Sequence, residues 1–110
     1  MKPVVIAGYT RSPFHFANKG DLIKVRPDEL AAQTVAGLLT QTGVAVSDIE
    51  DVLVGCAFPE GEQGMNVARI ISFLAKIPLT AAGATVNRFC GSALEAPPTA
   101  AGALQMDPGA

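Results

Sequence analysis

Apolar positions along this chain fall in short blocks separated by polar, glycine-bearing stretches. Residues 3–9 (PVVIAGY) form a continuous apolar run rich in β-branched side chains, the pattern of a strand buried on both faces, and Pro3 is tolerable at its first position. After a polar connection, RPDELAAQTVAGLLTQTG predicts a helix. Pro27 suits the first turn, Asp28 and Glu29 favour the positive end, and Gly43 suits the exit. Ala31, Val35, Leu38 and Leu39 recur at helical spacing and make one apolar face.

The run DVLVGCAF reads as a second buried strand, followed by the turn-rich loop PEGEQG and a second helix from about Asn66 to Lys76. Asn66 is the expected cap of that helix, Val67, Ile70, Ile71 and Leu74 its apolar face, and Phe73 points to burial on a second side. GATVNRF predicts a third strand, and a third helix starts at Ser92. Pro97 and Pro98 each cost roughly 3 kcal/mol in a helix interior. This predicts that the helix stops near Ala96 or that a new one begins at the prolines; the chain then closes on the breaker DPGA. The order βαβαβα predicts an α/β domain with a mainly parallel sheet.

At 110 residues the chain has room for one domain at most. With 49% hydrophobic and 16% charged residues it is a globular chain with apolar surface left over, some of which is expected to meet a partner. Lys and Arg are scattered singly and the formal charge is -2, so no basic stripe is offered to nucleic acid. No apolar run approaches the length of a membrane span and no leader with a cleavage site precedes the first strand pattern, so we expect an unexported protein with no membrane partner. Cys56 and Cys90 are too few for a disulfide framework and lack metal-ligand spacing, which suits reduced thiols in a cytoplasmic compartment and no bound metal.

Cys90 is the residue that invites chemistry. In TVNRFCGSALEA it stands between the third strand and the third helix, and ligands of parallel sheets collect at the carboxyl ends of strands. A helix N-terminus presents unpaired amides and partial positive charge, which favour the thiolate that attacks carbonyl carbon. Gly91 would admit a substrate close to the backbone, and the Cys90 amide would donate to a developing oxyanion. Against this stands the burial and inertness of most cysteines. The turn by itself therefore leaves both readings open, whereas Cys56, which ends a strand with no helix start behind it, is expected to be packing. The papain-type cysteine pattern fails, and no nucleophilic serine elbow, Walker loop or dinucleotide fingerprint occurs.

VVIAGYTRSPF, LVGCAFPEGEQGMNVARI and above all TVNRFCGSALEA resemble, in this order, the N-terminal part of a thiolase, an acyl-CoA C-acyltransferase. The resemblance covers residues 1–96, with 97–110 as a divergent tail of the same partial, thiolase-like domain. It implies that Cys90 is the nucleophile: it takes an acyl group from a 3-ketoacyl-CoA or from acetyl-CoA, holds it as a thioester, and passes it to coenzyme A or to a carbanion of a second acetyl-CoA. Coenzyme A thioesters are then substrates, no cofactor is needed, and dimers or tetramers are expected.

The resemblance also implies that an activating histidine, a second, acid/base cysteine, another oxyanion amide and much of the coenzyme A site come from parts of the family's chain absent here, so that 110 residues alone turn over little. His15 matches no catalytic histidine and is expected in a polar loop. Ser92 is expected to bond at the helix start, and Asn87 and Arg88 to orient the turn or reach a neighbouring subunit. Glu60 and Glu62 are expected in a solvated turn, and Arg11 as a structural anchor or an exposed side chain. The competing readings are a non-catalytic, oligomerising α/β module and a cysteine hydrolase using His15.

Overall fold

The computed structural model describes residues 2–107. Its elements are α1 (Pro27–Thr42), β1 (Asp51–Gly55), α2 (Val67–Leu74), β2 (Ala82–Val86) and α3 (Ser92–Met106), with single 3-10 turns at Val46–Asp48 and Gly61–Gln63. The strands pair in parallel from Asp51 opposite Ala82 to Gly55 opposite Val86. Parallel neighbours need a crossover, and α2 supplies it by packing on both strands. The ladder continues past each end, through Ala82 N–H to Glu50 O at 2.9 Å and Cys56 N–H to Val86 O at 3.0 Å. This is the expected α/β class with parallel pairing.

Val67, Ala68 and Ile71 of α2, Ala32 of α1, Ile77 and Ala81 before β2, and Ala96 of α3 form the buried core. Full burial of a side chain like Ile71 contributes about 1.5–3 kcal/mol, so α2 is the element whose apolar face carries most of the packing. Helix α1 lies on α2 with Asp28 and Ala32 turned deepest, while Ala31, Val35, Leu38 and Leu39 are only half-buried. The buried stripe is thus turned from the expected one, because α1 docks on a second helix rather than on the sheet.

Four expectations are corrected. Residues 3–9 form no strand, so the observed order is αβαβα. Burial on both faces needs a layer on each side, and Val5 and Ile6 are largely exposed; Val4, Val5 and Ile6 share the lining of a hollow with Pro97, Ala100 and Leu104 of α3 instead of joining a ladder. Helix α3 runs unbroken through Pro97 and Pro98. Both prolines have a φ suited to a helix, and the carbonyls they orphan belong to Ala93 and Leu94, exposed residues whose oxygens water can satisfy. Asn66 makes no side-chain cap; it is left-handed at φ 54°, and its carboxamide turns to β2, donating to Gly83 O at 2.9 Å and accepting from the Thr85 hydroxyl at 2.8 Å. Phe73 is half exposed rather than buried, its ring covered by the Arg69 guanidinium at 4.5 Å. The remainder of the DPGA breaker, residues 108–110, lies outside the described residues.

The start of α1 is held by charge. Arg26 donates to both carboxylate oxygens of Asp28 at 3.1 and 3.0 Å, Glu29 N–H adds a third bond at 2.8 Å, and Glu62 approaches Arg26 at 3.7 Å. Hydrogen bonding from Arg26 lowers the Asp28 carboxyl below its ordinary value of 3.8 against the opposing effect of burial. The folded state therefore binds this proton less readily than the unfolded chain. The resulting stabilisation is fully present above pH 3.8 and is lost as pH falls through the lowered folded value. Urea titrations at neutral pH and below pH 3.8 should show a lower midpoint for Asp28→Asn at neutral pH and a smaller loss on acidification than in the parent chain.

Candidate active site

Residues 87–91 form an arch that joins the end of β2 to the start of α3, and Cys90 stands on it. The arch is shaped by side chains bonding to backbone. The Ser92 hydroxyl accepts from Arg88 N–H at 2.8 Å and donates to Phe89 O at 2.6 Å, and the Asn87 side-chain oxygen accepts from Phe89 N–H at 2.8 Å. Backbone bonds Gly91 N–H to Arg88 O at 3.0 Å and Ser92 N–H to Phe89 O at 3.1 Å close the turn, and Glu95 N–H to Gly91 O at 3.1 Å starts the helix. Phe89 is forced to φ 49°, a left-handed conformation costly for a side chain of its size. Strain of this kind persists only where surrounding bonds over-determine it, and three of these bonds involve Phe89 itself.

The Cys90 thiol is free and exposed. Gly91 follows it as the residue before the helix, with φ -93° and ψ 7°. The Cys90 backbone pairs with Arg88 in an isolated parallel bridge. Exposure removes the packing role that most cysteines serve. A concavity of about 1290 Å³ is bounded by α1, β1 and α3, including Leu38, Leu53 and Ala96, and Cys90 is not among the residues that line it. Gly91 is not demanded by sterics either, since a β-carbon there would sit 3.6 Å from Arg88 O, an ordinary contact.

The remaining candidates separate from Cys90. Cys56 is half-buried just past β1, as expected of packing. His15 faces Asp21 at 3.7 Å in the loop before α1, and no bond among the described residues joins it to the arch. Arg11 stacks on Phe14 at 5.2 Å. Glu60 is exposed, and Glu62 is engaged by Arg26. Arg88 pairs with Glu95 at 3.3 Å on the surface, where such a pair adds little stability but helps orient the arch. Sequence reasoning missed the bonds of Asn66 and Thr85, which tie α2 to the strand beneath Cys90, because they join residues 19 apart. The only available signal was an asparagine beside a glycine-rich loop, a residue that tolerates left-handed backbone.

A strand, a bonded arch and a helix start that present one exposed cysteine define an α/β protein with a candidate sulfur nucleophile at the carboxyl end of its parallel pair. Residues 4–108 match the family described as Thiolase, N-terminal domain, and the chain belongs to the thiolase family. It is 46% identical over 95 residues to the 3-ketoacyl-CoA thiolase of Bacillus subtilis (strain 168), 86% of this chain and 24% of that protein. It is 40% identical over 108 residues to the 3-ketoacyl-CoA thiolase of an Acinetobacter baumannii strain, and 39% identical over 108 residues to that of a Psychrobacter strain; each covers 98% of this chain and 28% of the relative. The chain thus spans about a quarter of the length of the curated relatives it matches.

Ser92 is 3% exposed, and Ser92→Ala takes from Arg88 N–H its hydroxyl partner while Phe89 O keeps only the Ser92 amide. Denaturant melts should show a loss of about 1–3 kcal/mol. A change within 0.5 kcal/mol, about the scatter of ordinary surface substitutions, would mean that the arch does not depend on this hydroxyl.

Proposed function

We propose that this chain is the nucleophile-bearing segment of an acyl-CoA C-acyltransferase of the thiolase type. Cys90 Sγ attacks the carbonyl carbon of a coenzyme A thioester, or the keto carbon of a 3-ketoacyl-CoA. The electron pair of that carbonyl moves to oxygen, where the Cys90 amide donates to it. Collapse of the adduct expels the coenzyme A thiolate in the first case. In the second, the bond between the keto carbon and its neighbour breaks, the carbanion takes a proton, and acetyl-CoA leaves. Both routes leave an acyl group on Cys90 as a thioester, which a second coenzyme A or a carbon nucleophile then removes.

The observation that carries this reading is the free, exposed Cys90 two residues before the start of α3. The names of the relatives support the substrate class. On this reading coenzyme A thioesters are substrates rather than cofactors, and the two free thiols suit a reducing, cytoplasmic setting. The described residues hold no histidine against Cys90, so the chain by itself acylates slowly and turns over little, several orders of magnitude below a complete site.

A second reading, an oligomerising module without chemistry, draws on the exposed apolar side chains Ile6, Tyr9, Phe89 and Leu94. Incubation with acetyl-CoA followed by peptide mass spectrometry separates the two. We expect acetyl transfer to Cys90 faster than to Cys56, abolished at that position by Cys90→Ser. Equal, background acetylation of both thiols in folded protein would favour the module. Sedimentation should show dimers or larger species, and a clean monomer at tens of micromolar would count against association on either reading.

A further inference from the structure

Phe89 and Cys90 are both exposed, so the bonds that shape the arch internally do not by themselves tie it to the rest of the fold. What fixes the thiol in space is where the two feet of the arch stand, at Val86 and at Ser92. Both feet meet one place, the carboxyl end of β1. Val86 is opposite Gly55 in the parallel ladder and accepts from Cys56 N–H at 3.0 Å. Ser92, 3% exposed, comes so close that a β-carbon at Gly55 would fall within the backbone of Ser92 and Ala93. The obstruction is backbone, which cannot rotate away as the end of a side chain does.

We propose that Gly55 is a positioning residue for Cys90: its missing side chain lets the first turn of α3 seat directly on the end of β1, which sets the separation of the arch's feet and hence the placement of the thiol. This rests on the reading of Cys90 as the nucleophile, and it assigns Gly55 no contact with substrate. Glycine in a strand otherwise weakens it, so its presence at the last position of β1 is explained by the close approach it permits. The same logic repeats at Gly83, where a β-carbon would meet Arg69 N at 3.0 Å. There the helix brought close is α2, remote in sequence from the arch, so Gly83 serves packing alone.

The test uses the 110-residue chain carrying Gly55→Ala, with Gly102→Ala as control, because a β-carbon at Gly102 meets nothing within 4 Å. Iodoacetamide alkylation of Cys90 is followed across pH by peptide mass spectrometry, with circular dichroism to establish folding. In folded Gly55→Ala we expect the Cys90 rate to change by about fivefold or more, with an altered pH–rate profile, while Gly102→Ala keeps both. A folded Gly55→Ala with a Cys90 rate within about twofold of the parent and an unchanged profile overturns the proposal.

Should Gly55→Ala fail to fold, amide exchange of the parent chain decides. The amides of Cys56, Ser92 and Glu95 are expected to open as one unit with equal protection, whereas Ser92 and Glu95 exchanging about tenfold faster than Cys56 overturns the contact. Acetyl-CoA labelling of the parent is run alongside. Absence of label at Cys90 defeats the nucleophile reading, while alkylation and exchange still judge Gly55.

Discussion

The parallel pairing of Asp51–Gly55 with Ala82–Val86 is the constraint from which the rest of this structure follows. Two parallel strands cannot be joined by a tight turn, so the chain between them must cross over, and α2 does so with Val67, Ala68 and Ile71 pressed against the pair. Crossing over returns the chain to the same end of the sheet. Both strands therefore finish side by side, and whatever follows β2 emerges next to whatever follows β1. That is why the arch bearing Cys90 begins beside Gly55 and Cys56.

From that junction the arch is built by local bonds with few degrees of freedom left. The Ser92 hydroxyl and the Asn87 carboxamide bond backbone groups of Arg88 and Phe89, and Phe89 accepts a left-handed conformation in return. Strain at a residue next to a candidate nucleophile is the arrangement expected where backbone direction matters more than local comfort. The polar bonds of Asn66 to Gly83 and Thr85 extend the same stiffening below the arch, since they brace β2 from the helix that precedes it.

The chemistry-bearing stretch was legible because its signals are local. A β-branched run, a cysteine, a glycine and a serine at a helix start lie within a dozen residues, and each points to the same strand, turn and helix. The start of α1 was legible for the same reason, through Pro27 and the acidic pair behind it. What escaped reading were effects of partners distant in sequence. Residues 3–9 have the composition of a strand buried on both faces, yet a strand requires a neighbour with free hydrogen-bonding groups, and Val5 and Ile6 are left largely exposed. Asn66 has the chemistry of a cap, yet β2 offers its carboxamide two better partners. Pro97 and Pro98 oppose a helix in isolation, yet the carbonyls they free belong to the exposed residues Ala93 and Leu94.

Sequence alone thus determined the α/β class, the parallel pairing, the starts of the helices and the place of Cys90 between a strand and a helix, since periodicity, capping and turn chemistry act over a few residues. Only the tertiary structure decided that Cys90 is exposed and that Gly55 admits the helix behind it. Those depend on the distances between segments 30 to 40 residues apart, which the chain's local preferences do not encode.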